Sequence, residues 1–454
     1  KCGELVGIST DKIQRNGTDT NTGFEVSSKA KPNLQSQSFV AKYPKMPLEI
    51  ATLFFWFSLY TYPSIFSPYL KELKISTGLI GIILSSYGLA QVIFRIPIGI
   101  FSDKLKDRKS FVISGIVFSG ISALGLMVFK HPILIYMSRL LAGVAASSWV
   151  VFSVLYSSYY KQSDSSKAIS RIFIFQNAGN MSAMFLGGVI AENFGWEASF
   201  AAGGIAALIA LLMAVFVKDD SKSIISVKAS EGKDNSVNAN CEITNSNYKS
   251  ANHNKENRNT STMTIRELIA VINNPTLLIV SFLAILMQFN STATVTGFTP
   301  LYAETIGANR FQLGLLTLFS QLPGIIASII GSKGVYIKIG EKKTLIVAFF
   351  LTAVFSGTIP LVKTMELLYL TQFLNGFFRG ILIPVLMGLG IKNVEPAKRA
   401  TAMGAFQAIY AIGMVAGPAI FGFISQATEM WVGFLSAGFI SLIGSIIALL
   451  TLKE

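Results

Sequence analysis

The chain has 454 residues, 51% of them hydrophobic and only 14% charged, with a formal net charge of +14. A soluble domain carries about 25% charged residues, and 34 Phe cannot be hidden in a soluble core of this length. A soluble globular protein is therefore excluded. The apolar runs are continuous and do not alternate, which favours membrane-crossing helices over a barrel.

In chain order, residues 1–45 are polar and read as a disordered cytoplasmic tail. Twelve spans follow, over about 47–70, 77–101, 109–130, 133–157, 168–191, 198–217, 274–303, 311–333, 343–362, 367–391, 401–425 and 430–452. Each is near the ~20 helical residues that a bilayer requires. Between spans six and seven, 218–264 is rich in Asn, Ser and Lys and almost free of aromatics. Such a segment cannot bury enough apolar surface to offset its ordering entropy, so a disordered linker is expected there. The expected organisation is thus a six-helix half over 46–217, the linker 218–264 and a second half over 265–454.

Basic residues set the expected orientation. One side carries Lys104, Lys106, Arg108, Lys109, Lys161, Lys167, Arg171, Lys333, Lys338, Lys342, Lys343, Lys392, Lys398 and Arg399, fourteen in all. The other carries five: Lys71, Lys74, Lys130, Arg310 and Lys363. The first side, both termini and the linker are expected in the cytoplasm of a multi-pass plasma-membrane protein. The net charge then reflects topology and needs no nucleic acid.

The two halves echo each other. Lys104, Arg108 and Lys109 match Lys338, Lys342 and Lys343, with 338 − 104 = 234. Gly179 and Gly188 match Gly413 and Gly422 at the same offset, and Arg139 and Gly143 match Gln372 and Gly376 at 233. A hydrophobic chain built twice from one pattern points to a transporter whose halves rock about a central site. No metal-ligand spacing, phosphate-binding loop or nucleophile–base pair is visible, so no metal, cofactor or enzymatic activity is expected. Cys2 and Cys241 fall in the expected cytoplasmic segments, which disfavours a disulfide.

Between spans two and three runs Gly99-Ile100-Phe101-Ser102-Asp103-Lys104-Leu105-Lys106-Asp107-Arg108-Lys109. With its echo in the second half, it resembles the major facilitator superfamily, and the resemblance covers about 45–454. That family's loop motif reads Gly-x-Leu-Ala-Asp-Arg-x-Gly-Arg-Lys. Gly99, Asp103, Lys104 and Arg108 fit it, whereas Lys106 replaces the second glycine and Asp107 a basic residue. In the second half Lys338, Gly340 and Lys342 fit, and Ile337 stands where the acid would be. Gly99 is expected to let neighbouring helices approach closely. Asp103 would meet the partial positive charge at the start of span eleven. The resemblance implies that this contact holds the cytoplasmic side shut; the plainer reading of Asp103 is a solvated cap.

Arg139-Leu140-Leu141-Ala142-Gly143 in span four resembles the family's Arg-x-x-Gln-Gly, with Ala142 in place of Gln. Gly179, Gly187 and Gly188 in span five stand where exporters have a glycine-rich pattern, but Ala183-Met184 replaces its Gly-Pro. Span eleven keeps the pattern better, with Gly413, Gly417, Pro418 and Gly422. The stripe suits close helix packing.

Polar residues at mid-membrane are the candidate substrate contacts: Ser58 and Tyr62 in span one, Gln176 and Asn180 in span five, Gln288 and Asn290 in span seven, Gln407 and Tyr410 in span eleven. Arg139 and Arg379 are the sharpest signals, because an Arg at that depth costs ~2.5–3.5 kcal/mol and usually marks a pathway or a paired charge. No carboxylate stands at mid-depth; Glu49 and Asp103 lie toward the cytoplasmic ends and Glu304 toward the outside. For Arg379 two readings stand, a substrate contact and a structural donor to backbone carbonyls. The expected fold is all-α, twelve transmembrane helices in two pseudo-symmetric halves. The expected function is secondary transport of a small solute by alternating access, with efflux suggested by span eleven and a monomer as the working unit. An organic or inorganic anion is the alternative substrate, a non-transporting sensor the alternative class, and a proton the candidate coupling ion.

Overall fold

The computed structural model describes residues 45–160, 165–219, 274–332, 335–392, 394 and 399–452. Apart from Lys45, Lys218 and Asp219, the expected tail and linker lie outside these residues. The helices are α1 (Met46–Tyr60), α2 (Pro63–Glu72), α3 (Thr77–Leu105), α4 (Arg108–Val128), α5 (Pro132–Ser147), α6 (Trp149–Ser158), α7 (Ser165–Phe194), α8 (Trp196–Val215), α9 (Pro275–Ala293), α10 (Thr299–Thr305), α11 (Arg310–Ser332), α12 (Val335–Ile339), α13 (Glu341–Gly357), α14 (Met365–Lys392), α15 (Arg399–Ala427) and α16 (Met430–Thr451). Ten stretches are long and apolar enough to cross a membrane; α5 with α6, and α9 with α10, each make one. The interrupted pair α1–α2 and the more polar α7 complete the twelve helical spans.

Helix starts follow from local chemistry. Pro occupies the first turn of α1, α2, α5 and α9, where its missing N–H is no loss. Asn274 accepts from the N–H groups of Thr276 and Leu277 to start α9. Asp107, which departs from the family's loop motif, accepts from the Ser110 N–H at 3.2 Å and caps α4.

Spans one and seven are not continuous helices as expected. Span one breaks at Thr61–Tyr62, and span seven widens to a π-helical turn over Thr294–Phe298. The residues that restart the two helices share one backbone conformation, φ −112° and ψ −15° at Tyr62, φ −108° and ψ −12° at Phe298. Backbone groups freed in a membrane must find partners. The Gly297 carbonyl accepts from Ser67 Oγ at 2.5 Å, joining the two interrupted spans.

The internal repeat is realised as repeated contacts. Gly179 packs on the backbone of Leu53 and Phe57, and Gly413 on that of Ile285 and Phe289. Gly188 faces Gly314 of α11, where an added Cβ would lie 2.8 Å from the Gly314 Cα. Its mate Gly422 faces Gly81 of α3, where the distance is 3.0 Å. Gly187 abuts the Thr61 carbonyl, and Gly417 meets Phe289 and Thr292. Each of these glycines lies against the backbone of a neighbouring span.

The first six spans meet the last six most tightly at one end, where α2 ends and α3 begins. The Gly78 N–H donates to Gln426 Oε1 at 2.8 Å. Arg310 crosses from α11, with its N–H to Glu192 at 2.9 Å, its Nη1 to the Ala191 carbonyl at 3.0 Å and its guanidinium 4.0 Å from the Trp196 ring. Beside it, Lys130 donates to Glu197 and to Tyr69. Burial works against the Lys130 charge, but these hydrogen bonds outweigh it and hold its ammonium above the ordinary lysine value. Its stabilising charge is thus present at neutral pH and lost only as pH climbs past that raised value.

One expectation needs correction. Among the described residues Gly99 mediates no close approach: a Cβ there would meet Val150 Cγ1, at 3.8 Å. Glu49 lies in the first turn of α1, toward the end of its span, and is buried there. It is 4% exposed, accepting from Arg171 Nε at 2.7 Å and from the Tyr156 hydroxyl.

Candidate substrate cavity

Between the first and last six spans lies a cavity of about 650 Å³ walled by α7, α9, α11 and α14. It reaches Ser170 near the start of α7 and Ser328 and Ile329 near the end of α11. It therefore extends toward the end of the bundle opposite the tight contacts. A second chamber of about 180 Å³ adjoins it, formed by residues of α1, α2, α3, α5, α9, α11 and α15 and of the turn between α9 and α10. Gln288, Ser291 and Gln321 line both. Among the described lining residues of either chamber there is no Asp or Glu.

Arg379 lines the larger chamber. Gly376 and Gly380 of α14 rest on the α11 backbone at Ser320 and Gly324, which brings the two helices close enough for the guanidinium to reach across. Its Nη1 donates to Ser291 Oγ at 2.7 Å, and its Nη2 to the Ser320 carbonyl and Gln321 Oε1, both at 3.0 Å. All three acceptors are neutral. The structural reading of Arg379 is thus realised in part, through one backbone carbonyl, while the charge itself faces a cavity.

Arg139 lines the smaller chamber and is 7% exposed. Its Nη1 donates to the Tyr62 hydroxyl at 2.8 Å. Its guanidinium lies over the rings of Tyr87, Tyr62 and Phe66, at 4.5, 5.1 and 5.6 Å. Such contacts attract a cation without neutralising it.

The remaining expected contacts divide. Gln288 lines both chambers, and Asn180 lines the larger with its Oδ1 buried and without a protein partner. Gln176 also has a buried, unpartnered Oε1 but is not part of either wall. Tyr62 reaches the site only through Arg139. Gln407 and Tyr410 line neither chamber; Tyr410 packs edge-on against Phe406. Ser58 and Asn290 are not in the cavity at all. Ser58 is packed against Ser119, while Asn290 donates to the Ala437 carbonyl at 3.0 Å and accepts from Ser356 at 3.0 Å. These two polar residues bridge helices, as polar side chains in membranes commonly do. Pro418 belongs to the smaller chamber's wall.

At the end toward which the cavity extends, Lys104 and Lys338 are exposed, Lys342 lies in the first turn of α13, and Gly340 precedes that helix with φ 99°. Arg108 begins α4. The side chains of Asp103 and Ile337 lie outside the described residues. Gln321, Tyr87 and the burial of Glu49 were missed from sequence. Gln321 and Ser328, seven residues apart, mark one polar face of span eight.

Sequence models of the Major Facilitator Superfamily match residues 48–335 and 277–454. The chain belongs to that superfamily. It is therefore a multi-pass integral membrane transporter and not an enzyme. It is 26% identical over 366 residues to the uncharacterized MFS-type transporter YceJ of Bacillus subtilis, covering 79% of this chain and 83% of that protein. It is 24% identical over 370 residues to the multi-drug resistance efflux pump PmrA of Streptococcus pneumoniae, covering 78% and 83%. The crystal structure of the nucleoside transporter NupG superposes with a TM-score of 0.65 at 16% identity, over 90% of this chain and 99% of that one. A bacterial homolog to the human lysosomal transporter Spinster gives 0.67 at 12%, over 89% and 95%. These likenesses concern the fold.

Proposed function

We propose that this transporter carries a small organic anion by alternating access. The observation that carries the reading is Arg379, a cavity guanidinium whose partners are a serine hydroxyl, a carboxamide and a backbone carbonyl. In a water-poor cavity a positive charge without a carboxylate partner attracts anions and repels cations. The moving bodies in this reading are 46–217 and 265–454, with both termini and the cavity mouth facing the cytoplasm. The side-by-side count of basic residues supports that orientation.

A second reading is export of diverse hydrophobic compounds. The relation to PmrA favours it, as do Met181, Met184 and Met287 in the cavity wall, since Met surfaces repack around varied ligands. Proton coupling belongs to either reading. Shape-matched benzoate, benzamide and benzylammonium separate the two. Uptake or counterflow in proteoliposomes should favour benzoate, and Arg379→Gln should weaken it about tenfold or more, the effect of losing one charge-assisted contact. Transport of benzylammonium that survives Arg379→Gln would instead establish the exporter reading.

A further inference from the structure

The cavity holds two cations, contributed from opposite sides. Arg139 comes from α5 and Arg379 from α14. Among the described residues neither has a carboxylate partner, and no acidic side chain lines either chamber. Gln288, Ser291 and Gln321 belong to the walls of both chambers, and Arg379 binds two of those three side chains. Arg139 has a single hydrogen-bond acceptor, the Tyr62 hydroxyl, and its buried Nε has none.

Two like charges held in one low-dielectric site each raise the cost of the other. A monoanion at Arg379 relieves one and leaves Arg139 bare. A solute with two negative charges relieves both. We infer that the solute is dianionic, a dicarboxylate or a singly placed doubly charged group, bridging Arg379 in the larger chamber and Arg139 in the smaller. The inference rests on the anion reading of the same cavity. A bridging dianion would join α5 to α14, so binding would draw together the two bodies that must close around the solute. A single carboxylate at Arg379 could not do this.

The test compares matched charges on purified full-length protein. Aliphatic dicarboxylates from oxalate to adipate, phthalate and inorganic sulfate serve as probes. Each dicarboxylate is paired with its half-amide, and binding is followed by calorimetry. The best dicarboxylate should bind about tenfold or more tighter than its half-amide, the discrimination expected of one additional charge-assisted contact. Arg379→Gln and Arg139→Gln should each abolish that discrimination, and Arg139→Lys should restore part of it, since a bidentate fork is lost. The wild-type comparison stands even where Arg139→Gln does not fold. If half-amides bind as well as dicarboxylates and both depend on Arg379, the bridging proposal fails while the anion reading survives. If discrimination persists in folded Arg139→Gln, Arg139 is not the second contact and the proposal fails. If no probe of either charge binds, both readings fall together.

Discussion

Lys106 has a left-handed backbone, φ 50°, just after α3. Its mate 234 residues later is Gly340, with φ 99°. Positive φ recurs at both repeat positions, once with glycine and once without, with ψ 38° at Lys106 and 125° at Gly340. A side chain in that conformation costs about 1–2 kcal/mol. Lys106→Gly should therefore raise stability by about 1 kcal/mol, read as a higher thermal midpoint of the detergent-solubilised protein; an unchanged midpoint would mean the loop relaxes in solution. Glu49 supports a prediction of ordering. Glu49→Gln keeps a hydrogen-bonding group opposite Tyr156 and removes the charge. Arg171→Met strands a buried carboxylate, the costlier change. Arg171→Met should lower the midpoint more than Glu49→Gln, and the opposite order would show that water replaces Arg171 at the carboxylate.

At the scale of helices, the glycine contacts Gly188–Gly314 and Gly81–Gly422 bring α7 onto α11 and α3 onto α15. They are repeat mates and both join the first six spans to the last six. A side chain inserted there must push the backbones apart, and overpacking of this kind costs about 1–3 kcal/mol. Gly188→Leu or Gly422→Leu should prop that end open, whereas Gly404→Leu, with nothing within 4 Å of its Cβ, should not. Spin labels attached through Lys74→Cys and Asn309→Cys, after replacement of Cys2 and Cys241 by Ser, report the separation. Longer distances in both tight-contact variants and unchanged ones in Gly404→Leu are expected. Equal lengthening in all three would mean that any bulky residue loosens the bundle.

For the whole molecule, Arg310 helps tie the last six spans to the first at the closed end, through its N–H to Glu192 and its side chain to Ala191, Trp196 and, at 3.9 Å, Glu72. Removing its side chain leaves the N–H to Glu192 in place but deletes the other contacts, of order 1–3 kcal/mol together. That is enough to shift a two-state equilibrium about five- to a hundredfold. Arg310→Ala should lengthen the Lys74–Asn309 distance distribution, and a distribution identical to wild type would leave the glycine contacts and the Gly78–Gln426 hydrogen bond holding that end. The proposed orientation is tested by impermeant thiol labelling in intact cells. A cysteine replacing Lys71 should react and one replacing Lys104 should not; the reverse pattern inverts the molecule.

The number and placement of the spans were legible in the chain because lipid allows so few solutions. Each crossing must satisfy its own backbone and be about as long as the bilayer is thick. The repeat was legible for a related reason, since the same helix contact needs glycine in both copies, and Gly179 with Gly413 and Gly188 with Gly422 kept their spacing. Polar residues were legible as polar but not as cavity residues. Asn290 and Gln288 are two positions apart on α9, yet one bridges to Ala437 and the other faces both chambers. Helix rotation, fixed by every neighbouring contact at once, decides between them. The same holds for Glu49, whose burial depends on Tyr156 and Arg171, more than 100 residues away. Sequence by itself determined the solvent, the crossings and the twofold plan, which arise from local composition and repetition. Tertiary structure alone decided which polar and charged groups meet, because that is a property of helix faces and not of residue order.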